Sequence, residues 1–192
     1  MSENVKLVLG SGSPRRRDLL RQVGVTDFIV RVPDVAEALP DGLSPRETVE
    51  AVSLQKAQAV PAAPDEIVVT ADTMVFLDGL RLGKPRDEAD ALRMLTALQG
   101  RRHIVCTGVT VRRDTRFLTR SEATDVTFRP ASRETLLRYI ATGEPMDKAG
   151  AYGLQARGIL LVERVEGDVS NVIGLPLPLL DGMLSEFGLR LL

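Results

Sequence analysis

The chain has almost none of the residues from which disulfides and soft metal sites are built. Of its 192 residues one is a cysteine, Cys106, and one a histidine, His103. A single cysteine excludes an intrachain disulfide, and with one histidine beside it the usual zinc sites are excluded too. A metal here must be held mainly by oxygen, which favours magnesium or manganese over zinc. Tryptophan is absent and aromatic residues make up 4% of the chain, few for the stacking surfaces of single-strand nucleic-acid binders. The formal net charge is -1. Long nucleic acid is gripped by broad basic surfaces, so no such partner is expected, whereas a small anion in one local basic pocket fits. No run reaches the ~18 to 20 apolar residues of a membrane span. Arg15–Arg17 follow the first apolar stretch instead of preceding it, against a secretory signal. The expectation is a cytoplasmic protein with no membrane partner.

What is present is ordinary for a globular protein: 44% apolar and 27% charged residues, enough length for one large domain or two small lobes. Val5–Leu9 reads as a buried strand, and Pro14 to about Val23 as a helix with Ser13 as its cap. Phe28–Val32 is a short strand, and Pro33–Leu43 an acidic loop carrying Asp34, Glu37 and Asp41. Ser44-Pro45-Arg46-Glu47 has the capping-box spacing and opens a helix to about Val60. Ile67–Thr70 is a second buried strand that runs into Ala71-Asp72-Thr73 and Met74–Leu77, with a turn at Asp78-Gly79. Gly83-Lys84-Pro85 is a loop and Asp87–Leu98 a helix. Arg102–Val111 and Phe117–Phe128 are two long strands joined as a hairpin; alternation at Val105, Thr107, Val109 and Val111 predicts a half-buried strand. Ser132–Thr142 is a helix, Ile159–Val165 a strand, Gly167–Gly174 a loop, and Pro178–Phe187 a leucine-rich helix. Interleaved strands and helices define an α/β protein with a mixed sheet.

Chemistry concentrates at a few places. Gly10-Ser11-Gly12-Ser13-Pro14-Arg15-Arg16-Arg17 joins a strand to a helix with small residues. Amides at a helix N-terminus and fixed arginine charge suit a phosphate; a capped surface helix with solvated arginines reads equally well. Asp72, placed just past a strand, can hold a divalent metal or take a proton from water, or bond its own backbone in a turn. Lys56 and Lys84 can neutralise phosphate charge or be solvated. In Lys148–Gln155, glycines bracket Tyr152, and Gln155 can match a flat base edge with one donor and one acceptor.

These stretches together resemble the Maf family of nucleoside triphosphate pyrophosphatases, from about residue 7 to 179. Ser11-Gly12-Ser13-Pro14-Arg15-Arg16 resembles the family's opening, with Ser13, Arg15 and Arg16 at phosphate-binding positions. Glu37, Lys56 in Leu54-Gln55-Lys56-Ala57, Ala71-Asp72-Thr73, Gly83-Lys84-Pro85, His103 with Thr107-Gly108-Val109, Lys148–Gln155 and Ser170–Pro176 also match. The resemblance implies a Maf/ITPase-like fold, a mixed twisted β-sheet flanked by helices, in a single domain of residues 1–192 with two lobes around a central cleft and no separate linker. It implies hydrolysis between the α and β phosphates to a monophosphate and pyrophosphate, with Asp72, Glu37, Lys56 and Lys84 catalytic. Asp72 and Glu37 would hold Mg²⁺ or Mn²⁺, with Asp72 as metal ligand or as base. Ser13, Arg15, Arg16, Thr73, Lys148 and Gln155 would bind substrate, and the protein would be a homodimer. Pro14-Arg15-Arg16 and Tyr152-Gly153-Leu154-Gln155 resemble the branch acting on dTTP and UTP; the alternatives are a 7-methyl-GTP pyrophosphatase and a nucleotide-binding regulator of septum formation. Ala36 before Glu37 and Ala156 after Gln155 depart from the family pattern.

Overall fold

The computed structural model describes residues 6–35 and 42–192. Seven strands form one mixed sheet: β1 (Lys6–Leu9), β2 (Phe28–Val30), β3 (Glu66–Leu77), β4 (Leu80–Leu82), β5 (Arg102–Arg113), β6 (Arg116–Phe128) and β7 (Val162–Glu166). Their order is β2-β1-β3-β5-β6-β7, with β4 paired to β3. β1 pairs in parallel with β2 and with β3, Leu7 lying opposite Phe28 and Ile67. The β3–β4 and β6–β7 pairs are antiparallel. The helices are α1 (Pro14–Gln22), α2 (Pro45–Ala59), α3 (Glu88–Leu98), α4 (Arg133–Ile140), α5 (Val169–Ile173) and α6 (Leu177–Ser185).

The chain divides into two compact units. The first comprises residues 1–72, 107–122 and 174–192, the second 73–106 and 123–173. In the first, Leu7, Val8, Leu9, Val49, Val52, Val68, Val109, Leu180 and Leu184 are buried. α2 begins with both halves of the capping box in place: the Glu47 amide donates to Ser44 Oγ at 3.3 Å and the Ser44 amide to Glu47 Oε2 at 2.9 Å. Such a cap contributes about 1 kcal/mol. At the other end Arg112 of β5 donates to the carbonyls of Ala57 at 2.7 Å and Val60 at 2.9 Å, which α2 leaves without helical partners. Gly108 lets the helix lie directly on the strand, since a Cβ there would stand 2.2 Å from the Val49 carbonyl oxygen. At the sheet edge Arg31, just after β2, binds both carboxylate oxygens of Glu66 at 2.5 and 2.8 Å. That guanidinium holds the Glu66 carboxyl down at about 2.

The second unit has one continuous apolar core, with Val75, Leu77, Ala91, Leu95, Leu98, Val126, Phe128, Leu136 and Tyr152 in contact. α3 is capped by Asp87, whose carboxylate accepts from the Asp90 amide at 2.7 Å. α4 is capped by Ser132 on the Thr135 amide.

Four local expectations change. β3 does not stop before Asp72 but runs through it for twelve residues. Residues 105–111 of β5 are buried without alternation, because the strand is covered on both faces instead of one. Residues 157–161 form a short 3-10 turn, and the strand expected from Ile159 begins only at Val162; Ile159 and Leu160 are exposed, so the apolar run does not pack as a strand. The loop expected over Gly167–Gly174 contains α5, started by Asp168, whose Oδ1 accepts from both the amide and the hydroxyl of Ser170.

Candidate active site

In the first unit the turn between β1 and α1 is built around a hydroxyl. Ser11 Oγ accepts from the Ser13 amide at 3.2 Å and from Arg16 Nη1 at 2.9 Å. Arg16 Nε donates to the Gly174 carbonyl at 2.7 Å, and the Gly10 amide to the Val69 carbonyl at 2.8 Å. The turn is therefore held from several directions before any ligand arrives. Ser13 sits at the cap position of α1 with extended backbone, but its side chain makes no capping bond. No acidic residue lies in the first turn of α1, so nothing there opposes an anion at the helix N-terminus. Arg15 and Arg16 are half-buried in that turn. Ser11, part of the opening motif, is the residue that shapes the turn; a hydroxyl two residues before a helix cap is the local signal.

Asp72 and Lys56 form the other part of this unit's site. Asp72 is 8% exposed, and Lys56 Nζ donates to its Oδ1 at 2.6 Å. α2, fixed at both ends and pressed onto β5, delivers that ammonium, so Lys56 is not a solvated surface lysine. The second oxygen, Asp72 Oδ2, is buried and has no hydrogen-bond partner among the described residues. A buried carboxylate oxygen left without a donor is costly and calls for a cation or a water. A hard divalent cation meets that need, and an oxygen ligand set suits it. Glu37, the expected second ligand, lies outside the described residues. Among the described residues no group of three or more His, Cys, Asp or Glu side chains is placed to hold a metal.

The second unit carries the remaining expected residues. Thr73 is half-buried, and Lys84 is exposed on the segment after β4. The Gly83 carbonyl accepts from the Gly150 amide at 3.0 Å, so the Lys84 segment is brought to the Lys148–Gln155 segment. Lys148 Nζ donates to the Glu144 carbonyl at 2.6 Å and to Asp147 Oδ1 at 2.7 Å. Tyr152 is buried, and its hydroxyl shares a 2.7 Å hydrogen bond with His103 Nε2. Burial pushes the His103 imidazole down to about 4 and the Tyr152 phenol well above its usual range. His103 is accordingly neutral at pH 7 and packs edge-on against Phe128 and Tyr152. Gln155 is exposed at the far end of the segment. Asn171 proves to be a framework residue, donating to the Val105 carbonyl and Thr124 Oγ1. Glu144 and Tyr139 went unread in the sequence, although their side chains bond into the Gln155 segment.

A buried Lys–Asp pair with an open carboxylate oxygen thus lies in the same unit as a helix N-terminus that carries Arg15 and Arg16 and no acid in its first turn. The family model for Maf-like proteins matches residues 6–187, and the chain belongs to that family. It is 50% identical to the dTTP/UTP pyrophosphatase of Symbiobacterium thermophilum, over 95% of this chain and 94% of that one. It is 48% identical to the dTTP/UTP pyrophosphatase of Moorella thermoacetica, over 95% of each. With the dTTP/UTP pyrophosphatase of Dictyoglomus turgidum it shares 46% identity over 97% and 98%. A solved nucleoside-triphosphatase / dITP/XTP pyrophosphatase from Mycobacterium abscessus aligns at a TM-score of 0.37 and 12% identity, over 64% of this chain and 74% of that one; so slight a likeness decides nothing.

Proposed function

We propose that this protein hydrolyses dTTP and UTP between the α and β phosphates, releasing the monophosphate and pyrophosphate. The observation that carries the reading is the Asp72 carboxylate: one oxygen taken by Lys56, the other buried and open, in a chain about half identical to relatives bearing that activity in their names. Asp72 takes a proton from water. The water oxygen ends on one phosphate as the bridging oxygen leaves with the other. Lys56 holds the carboxylate in place for that transfer. Arg15, Arg16, the hydroxyl of Ser13 and Lys84 meet the phosphate oxygens, where charge shifts during bond breaking. In its alternative role Asp72 would instead join Glu37 in holding Mg²⁺ or Mn²⁺, which would supply positive charge to the phosphate oxygens. Thr73, Lys148 and Gln155 belong to the substrate site, and Gln155 reads the N–H and carbonyl edge shared by thymine and uracil.

Further readings accompany this one: a single domain of two lobes, working in the cytoplasm as a homodimer. Among the described residues no helix is long and apolar enough to cross a membrane. A mass near 20.9 kDa by light scattering, that of one chain, removes the dimer.

The test is a panel of dTTP, UTP, CTP, GTP and 7-methyl-GTP, assayed for pyrophosphate release with Mg²⁺, with Mn²⁺ and after chelation. The expected ranking puts dTTP and UTP first, with activity lost on chelation and restored by either ion. A purine triphosphate or 7-methyl-GTP ranking first overturns the substrate. Full activity after exhaustive chelation overturns the metal, and no pyrophosphate from any triphosphate leaves a binding protein.

A further inference from the structure

Gln155 stands at the tip of a loop whose neck is closed by hydrogen bonds to one carboxylate. Glu144 begins a 3-10 turn over Glu144–Asp147, after α4. Its Oε2 accepts from the Arg157 amide at 3.0 Å, and its Oε1 from the Gly158 amide and the Tyr139 hydroxyl, each at 3.0 Å. The Tyr139 hydroxyl in turn takes a hydrogen bond from the backbone of Gly153. Glu144 therefore reaches both sides of the loop, residue 153 through Tyr139 and residues 157–158 directly. Its main-chain carbonyl also holds Lys148 Nζ at 2.6 Å, at the loop's entry. The two strands of the neck touch: a Cβ on Gly158 would stand 2.4 Å from the Gly153 carbonyl oxygen and 2.6 Å from the Tyr139 hydroxyl. Only glycine permits that approach. The chain is thus held at residues 153, 157 and 158, and Gln155 between them is exposed.

We propose that Glu144 is a positioning residue for base recognition, setting where the Gln155 amide stands. The proposal rests on the reading that Gln155 faces the base. A ligand edge is read by donors and acceptors in fixed places, and discrimination falls when they drift. Glutamine at 144 is nearly the same shape, but one oxygen becomes an NH₂ group. That group would oppose either the Arg157 or the Gly158 amide, donor against donor. The neck then loosens while the residues placed on the phosphates stay as they are.

The experiment compares wild type, Gln155→Ala, Glu144→Gln and the double variant as full chains, each checked for folding by thermal melt. The readout is the ratio of kcat/KM for dTTP to that for CTP. The expected result for Glu144→Gln is a fall of about tenfold in the ratio, with kcat on dTTP changed less than about threefold. The double variant should discriminate no worse than Gln155→Ala alone, because both act through one side chain. A wild-type ratio in Glu144→Gln beside a flattened ratio in Gln155→Ala overturns the role of Glu144 and leaves base reading by Gln155 intact. A wild-type ratio in Gln155→Ala overturns the underlying reading, and the role of Glu144 with it. Where Glu144→Gln does not fold, Tyr139→Phe removes one donor from the same carboxylate and keeps the ring. A ratio lowered by about threefold supports the proposal, and an unchanged one overturns it.

Discussion

Lys56 and Lys148 look alike at first: each is a half-buried lysine, 18% and 15% exposed in its side chain, with a carboxylate oxygen at 2.6 or 2.7 Å. Their surroundings part them. The partner of Lys56 is Asp72, whose side chain is 12% exposed; the partner of Lys148 is Asp147, 58% exposed. Lys148 also spends a donor on the Glu144 carbonyl, four residues away along the chain. Asp72, by contrast, keeps an oxygen that nothing described satisfies. One lysine is paired with a buried carboxylate whose second oxygen is open, and the other with an exposed carboxylate and a carbonyl of its own turn. Lysine–carboxylate distance alone does not separate the two pairs; the burial of the carboxylate and the state of its second oxygen do.

The sharpest way to break this contrast is at the carboxylate. Asp72→Asn is nearly isosteric, cannot accept the proton and should lose at least ~100-fold in kcat, with the melting curve of a folded protein. Near-normal turnover would remove Asp72 from the reaction. Next, Lys56→Met leaves the Asp72 charge buried without its counter-ion and should cost about 3 kcal/mol in denaturant unfolding, beside a large loss of activity.

A third effect tests whether the Lys148–Gln155 segment rests on neutral contacts. In the folded chain His103 stays uncharged down to about 4, whereas an unfolded chain takes up that proton near 6.5. The unfolded state thus binds more protons between these values, so stability is full above 6.5 and falls as the pH drops toward 4. The loss should reach about 2 kcal/mol between pH 7.5 and 5, and His103→Gln should flatten that slope. A wild-type slope in the variant would locate the titration elsewhere. Glu66, held down at about 2 by Arg31, acts in a separate window, its stabilisation being lost only as the pH falls below about 4.5. The smallest effect is expected for Lys148→Met. It should cost about 1 kcal/mol, that of an ordinary hydrogen-bonded tie, and less than about tenfold in activity. Equal losses for the two lysine variants would erase the distinction between them.

Features set by neighbours in sequence were legible. Ser44 and Glu47 announce α2, and Asp78-Gly79 announces the β3–β4 turn, both residues having positive φ. Asp72 is legible as a residue but its place inside β3 is not, because a carboxylate inside a strand reads as the strand's end. What permits it there is Lys56, sixteen residues earlier and invisible to a local pattern. Glu144 went unread for the same reason: its amide partners come thirteen and fourteen residues later, across irregular turns. Ile159 and Leu160 misled in the opposite sense. Their apolar run has the composition of a strand, yet the chain spends it on an exposed turn. Pro33–Leu43 is legible as an acidic loop from its residues, the role of Glu37 follows only from the resemblance, and Glu37 lies outside the described residues.

The ion pair of Arg31 and Glu66 has a consequence for how the protein keeps to itself. β2 is a sheet edge of only three residues, and Ile29, Val30 and Val32 along it are exposed. An open, apolar edge is a template for pairing with another chain, and so for aggregation. Here β1 lies between β2 and β3, so the arginine that follows β2 clasps a carboxylate of a strand that β2 itself does not touch. The clasp fixes the end of the edge and sets a charge where a fourth edge residue would otherwise offer its backbone to a stranger. Arg31→Ala should undo it at neutral pH, and the first symptom should be turbidity rather than lost turnover.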